Sequence, residues 1–225
     1  MDTFLYFFYL AGYIALFIWA ITLAHRYGWV SASNVLLFVI FGLIVDNTLL
    51  AFGRYIGTGH LLESISYIRY WGHALFTPTL VLFAWDSLKK ADIGWAKKSI
   101  VKYISYILVI ALIVYELFTE TLGLRLHAEW KYGVLSYANT ASSSGPPVMV
   151  LIVSLVLIVS AFMVWRSQKW IWFLLGTIIM TVGSAVPLPI KSDAYMNGFE
   201  LILLISLLAT KHYQVQKEQQ HETSS

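Results

Sequence analysis

Apolar residues come in long unbroken runs along this chain, and polar residues gather in short stretches between them. Seven runs, at roughly 4–24, 34–53, 65–86, 100–118, 147–165, 169–187 and 195–210, match or approach the ~20 residues that an α-helix needs to cross a bilayer core. Membrane strands would show apolar residues at every second position, and these runs do not. The pattern predicts an all-α polytopic membrane protein, with one domain over 1–211 folded as a seven-helix bundle. Only Met1, Asp2 and Thr3 precede the first run, without a basic residue, so it reads as a span and not as a cleaved signal peptide. Residues 212–225 are mostly polar and predict a disordered tail.

Composition agrees with this picture. Apolar residues make up 59% of the chain and charged residues 12%, against roughly a quarter charged in soluble domains. Mean hydropathy is +0.71. The chain has no cysteine, which excludes disulfides, thiolate metal ligands and cysteine nucleophiles. A net charge of +3, spread along the chain, gives no basic patch for a nucleic-acid partner.

The basic residues orient the bundle. Arg26, Lys89, Lys90, Lys97, Lys98, Lys102, Arg166, Lys169, Lys211 and Lys217 fall on one side of the seven spans, and Arg54, Arg125, Lys131 and Lys191 on the other. The expected arrangement is a multi-pass protein of the cell membrane, with its N-terminus outside and its C-terminus in the cytoplasm. Most connections are short. The exception, 119–146, contains Trp130, Tyr132 and Tyr137 and ends in a Gly-Pro-Pro break; it is longer than a tether requires and is expected to cap the outer face. Gly53 and Gly57 have the spacing of a close helix contact.

Ionisable groups within hydrocarbon are costly, by roughly 2.5 kcal/mol or more at the centre, so each marks a candidate site. The second span carries Asp46 and Asn47, the third Arg69 and His73, and the seventh Asn197 and Glu200. Counting about 1.5 Å per residue from the outer span ends, Asp46, His73 and Glu200 fall at one level, in the outer half of the membrane. Ser66, Arg69, His73 and Thr77 make one stripe on the third span. Thr177, Thr181 and Ser184 make a milder stripe on the sixth. Pro78 lacks an amide hydrogen and is expected to bend the third span just below its stripe. Glu116, near a span end, is expected to be solvated. Two structural alternatives stand beside these assignments: Arg69 neutralises Asp46 or Glu200 in an ion pair that orders the helices, and Asn47 bonds one helix to another.

Several chemistries are excluded by pattern. The six histidines show no His-x-x-x-His spacing, so neither a zinc nor a haem site is expected, and no cofactor is implied. No lysine lies inside the seventh span to hold a retinal. Phosphate-loop, dinucleotide and nucleophile-elbow motifs are lacking. What remains is a partly dry outward pocket on spans 2, 3 and 7. There burial and a nearby arginine pull carboxyl acidities in opposite directions, the arrangement that acid catalysis uses.

In length, span number and the placement of carboxylates on spans 2 and 7, the chain resembles the small seven-span membrane terpene cyclases. That family uses acids on these two helices to protonate an epoxide or alkene, and Asp46 and Glu200 stand at the corresponding positions. The second span reads Val45-Asp46-Asn47 where the family has Trp-Glu. The resemblance implies an intramembrane enzyme of lyase or isomerase type whose partner is a membrane lipid or lipid-soluble molecule, an isoprenoid among the candidates. Asp46 or Glu200 is the expected general acid, with Arg69 and His73 setting its protonation. Asn47, Tyr70, Trp71, Thr77 and Asn197 are expected to line the substrate site. The competing expectations are a small-solute transporter and a seven-helix receptor or assembly protein with a structural Asp-Arg pair. The inner halves of spans 3 and 7 are nearly all apolar, which favours a one-sided pocket. No feature specifies an oligomeric state.

Overall fold

The computed structural model describes residues 2–139, 147–186 and 188–224. Eight α-helices dominate it: α1 Asp2–Tyr27, α2 Leu36–Ile56, α3 His60–Phe76, α4 Leu80–Lys90, α5 Ser99–Glu116, α6 Val148–Gln168, α7 Trp172–Ala185 and α8 Tyr195–Ser224. Four are long and apolar enough to cross a membrane: α1, α2 with a 3-10 turn from Ala32, α5 with a π turn through Thr121, and α6. α7 is apolar but shorter.

The expected bend at Pro78 is a full division. A 3-10 turn, Thr77–Thr79, separates α3 from α4, because proline offers no amide hydrogen and crowds the preceding turn. The short helix that follows is the centre of the fold. Every residue of α4 from Leu80 to Leu88 is buried, with α5, α6 and α8 packed around it. Phe83 meets Phe173 of α7 edge to face, with centroids 5.5 Å apart, a favoured aromatic geometry. α5, by contrast, presents Ile100, Ile104, Ile107 and Ile110 outward, a surface suited to lipid. α7 and α8 pack closely because Gly176 faces Ser206, where a side chain would collide.

The connection expected to cap one face contains a β-hairpin, an element the all-α expectation did not include. Strand β1, Leu126–Lys131, pairs antiparallel with β2, Val134–Asn139. Tyr132 and Gly133 close it with φ of 50° and 87°, the left-handed pair that suits the twist of a two-residue hairpin turn. Leu135 lies so close over α2 that Gly53 has no room for a side chain. Gly53 thus serves the hairpin, and Gly57, with φ of 81°, ends the helix; the expected helix–helix contact at this pair is not what the glycines do. The hairpin is tied down on three sides. Thr3 Oγ1 donates to Gly133 O at 2.8 Å, Gly59 N donates to the Tyr137 hydroxyl at 3.1 Å, and Lys131 Nζ lies 2.7 Å from Asp193.

The tail is also more ordered than its polarity suggested. α8 continues past Thr210 because its next turn has partners: Tyr213 stacks on Trp170 at 4.3 Å, and the buried Gln214 donates to Ser87 O at 2.9 Å and Gln168 Oε1 at 3.0 Å. Helical geometry then propagates cheaply through Ser224.

Candidate functional site

A cavity of about 360 Å³ opens between α2, α3, α5, α6 and α8, with single residues of α4 and α7 completing its wall. Asp46, Arg69, His73 and Glu200 all line it, together with Tyr70 and Thr77. Apart from Glu116, Glu120, Thr121 and Ser154, its remaining wall is apolar, including Val39, Leu43, Phe76, Leu80, Val153 and Leu204. The polar groups therefore form a patch on an otherwise oily chamber.

Within that patch, Arg69 Nε donates to Asp46 Oδ1 at 2.5 Å, and both side chains are about one-fifth exposed. This is a charge-assisted bond, roughly twice as strong as a neutral one. It joins α2 to α3 and leaves Asp46 engaged. Glu200 is different. It lies within electrostatic range of Asp46 and Arg69, yet its carboxylate has no hydrogen-bond or ion-pair partner among the described residues. His73 is exposed, and its Nδ1 lies 3.3 Å from Thr77 Oγ1 one turn later.

The other expected residues lie elsewhere. Asn47 points away from the cavity and donates to Asn197 Oδ1 at 2.8 Å and Leu43 O at 2.9 Å. Both asparagines are buried, and Tyr13 adds a bond from its hydroxyl to Asn197 O at 2.8 Å, so they join α1, α2 and α8. Their expected place in a substrate site gives way to the structural alternative. Trp71 is 40% exposed on the outside of α3 and does not line the chamber. Thr177, Thr181 and Ser184 bond to carbonyls of their own helix, which satisfies their hydroxyls without a partner helix.

Three features escaped the sequence reading. Glu116 is 9% exposed instead of solvated, and it lines the cavity with Glu120 and Thr121. Glu120 and Thr121 belong to the π turn Leu117–Thr121 that follows α5, and such turns cluster at functional sites. Nothing in the local sequence marks it. Asp2 is also buried: its carboxylate accepts from Ser192 Oγ at 3.0 Å and from the amides of Asp193 and Ala194 at 2.9 and 3.3 Å. It thereby adds a distant acceptor at the start of α8 beside the local one, Ser192 Oγ, to which Ala194 N donates at 3.1 Å.

The opposite end holds a second cavity, of about 600 Å³, lined by Lys89, Lys90, Lys102 and Lys211 with Ser31, Asp86, Trp85 and Tyr106. Here the buried Asp86 carboxylate meets Lys90 at 2.8 Å and Lys89 at 3.4 Å and accepts from Ser31 Oγ at 3.2 Å. Only three residues at the start of α2, Leu36, Leu37 and Phe38, separate Val35 in one cavity's lining from Val39 in the other's.

No residues among those described group three or more histidine, aspartate or glutamate side chains in a metal-binding arrangement. Comparison with known protein families, with curated proteins and with solved structures yields no match to this chain.

Proposed function

We propose that this is a seven-span enzyme of the cell membrane, with its N-terminus and hairpin outside, that transforms a lipidic substrate by general-acid chemistry in the carboxylate-lined cavity. Two features support the span count. α3 and α4 follow one another from the hairpin end to the lysine-rich end, and α7 and α8 supply two further passes. The excess of lysine at one end supports the orientation.

The observation that carries the chemical reading is the union of Glu200, whose carboxylate has no hydrogen-bond or ion-pair partner among the described residues, and an apolar floor in one chamber. An isoprenoid chain would lie against Leu43, Phe76, Val153 and Leu204, with its reactive end at the polar patch. Asp46 is held by Arg69, so Glu200 is the group free to give a proton to an alkene or epoxide. The carbocation so formed would face the rings of Tyr70 and Phe76, which stabilise cations through their π faces. Glu116 is the carboxylate placed to take the proton lost when the cation collapses.

The test is incubation of the purified chain with isoprenoid alkenes and epoxides, followed by mass spectrometry of the products. Glu200→Gln should abolish turnover while the bundle remains folded. Full turnover in Glu200→Gln and in Asp46→Asn would remove the acid role.

The thin separation between the cavities favours one alternative. Val35 and Val39 are about 6 Å apart along the helix, so a solute carrier would need to move only one turn of packing to exchange access between the ends. Uptake of solute into vesicles, with the products unchanged, would select that reading.

A further inference from the structure

Nothing in the proposed acid chemistry uses the lysine-rich cavity, and its charges are unevenly satisfied. Lys89 and Lys90 share Asp86. Lys211, only 2% exposed, has a single neutral partner, Asn34 Oδ1 at 2.5 Å. Lys102, exposed on α5, has no hydrogen-bond or ion-pair partner among the described residues. Two ammonium groups from different helices thus line one cavity without an ion pair of their own, and Asp86, in electrostatic range of Lys211, is already shared by Lys89 and Lys90. With four lysines against Asp86 and Glu218, the lining carries a formal charge of +2.

A buried cation without a direct ion pair is expensive, and an anionic ligand would supply one. We propose that this cavity binds the phosphate group of an anionic membrane lipid. Lysine is a compact point charge suited to phosphate oxygens, and basic pockets between helices at the lysine-rich membrane face take such headgroups. The site is also built for the rest of a lipid. Val35, Leu82 and Val215 line it beside the charges, and Trp29, 59% exposed at its rim, is the residue type that settles at headgroup level. A free phosphate would use the lysines and leave the apolar wall bare. The inference is independent of the acid chemistry at the other end.

The test is native mass spectrometry of the full chain released from phosphatidylcholine nanodiscs containing a minor fraction of phosphatidic acid. One phosphatidic acid should be retained per chain. Lys102→Gln, at an exposed position, should weaken retention about fivefold, the equivalent of ~1 kcal/mol per lysine near the membrane surface. Adding Lys211→Gln should weaken it further, whereas Lys211→Arg should restore it. Lys98→Gln with Lys169→Gln, two lysines at the same end but outside the cavity lining, should leave it unchanged. An equal loss in that control, undiminished retention in Lys102→Gln, or absence of bound phosphatidic acid would overturn the proposal. So would inorganic phosphate that displaces the lipid completely at comparable concentration, which would assign the cavity to free phosphate.

Discussion

The two ends of this bundle hold their charges in opposite ways. At the hairpin end, one arginine and several carboxylates line a chamber, and only Asp46 is tied to Arg69. At the lysine end, Asp86 lies beneath Lys89, Lys90 and Ser31, and Gln168, Asn34 and Gln214 bond the surrounding turns together. The first end leaves the Glu200 carboxylate without a hydrogen-bond or ion-pair partner among the described residues, and the second invests most of its polar groups in holding α4, α6 and α8 in register. Polar residues in an apolar bundle therefore serve function or assembly according to whether another side chain has already taken their hydrogen-bonding capacity.

The contrast can be broken in several ways. The largest effect is expected for Glu200→Gln, which should lower turnover by roughly 10²–10⁴-fold if it removes a general acid, while thermal unfolding followed by circular dichroism stays near that of the parent chain. Arg69→Ala comes next. It leaves Asp46 without its partner and should cost about 3 kcal/mol in unfolding experiments; Asp46→Asn combined with Arg69→Ala should recover part of that loss. If Arg69→Ala unfolds the bundle while Glu200→Gln and Asp46→Asn keep full turnover, the ion pair is architectural and the chamber is not an acid site.

A smaller effect is expected where the hairpin meets α2. Gly53→Ala has no space beneath Leu135 and should cost about 1–3 kcal/mol by overpacking, read as faster proteolysis of the 126–139 hairpin. At the lysine end, Gln214→Ala removes two hydrogen bonds from a buried side chain and should cost about 1–2 kcal/mol, with exchange of the amides after Thr210 rising first. The smallest effect belongs to Lys131→Gln. Its pair with Asp193 is half exposed, which limits it to under about 1 kcal/mol, and that bond is also what raises the Lys131 ammonium pKa. A larger loss would mean that the hairpin's strap, and not its packing, holds it in place.

The helical, apolar character of the chain was legible because burial in lipid demands long unbroken runs, and such runs have no other economical reading. The break at Pro78 was legible too, since a missing amide hydrogen is a local fact. That Asp46, His73 and Glu200 would meet followed from counting residues along helices, whose rise is constant, and all three line one cavity. The hairpin was visible only faintly, in the Tyr132-Gly133 pair and the alternation of β2 around Leu135 and Tyr137. Its short strands carry far less signal than a span.

What an isolated sequence cannot hold is the rotation of one helix against another. Asn47 adjoins Asp46, yet the two face different neighbours, because adjacent positions on a helix are about 100° apart. Glu116 is buried because the face of α5 that also buries Ser105, Val109 and Leu112 turns inward, and Asp2 is buried because the start of α8 comes within reach. The sequence by itself determined the mostly helical class of structure and which helices bring charges to a common cavity, both governed by local chemistry and helical rise. Tertiary structure alone decided that Asp46 was already partnered, because a partner is a neighbour in space and Arg69 lies 23 residues away along the chain.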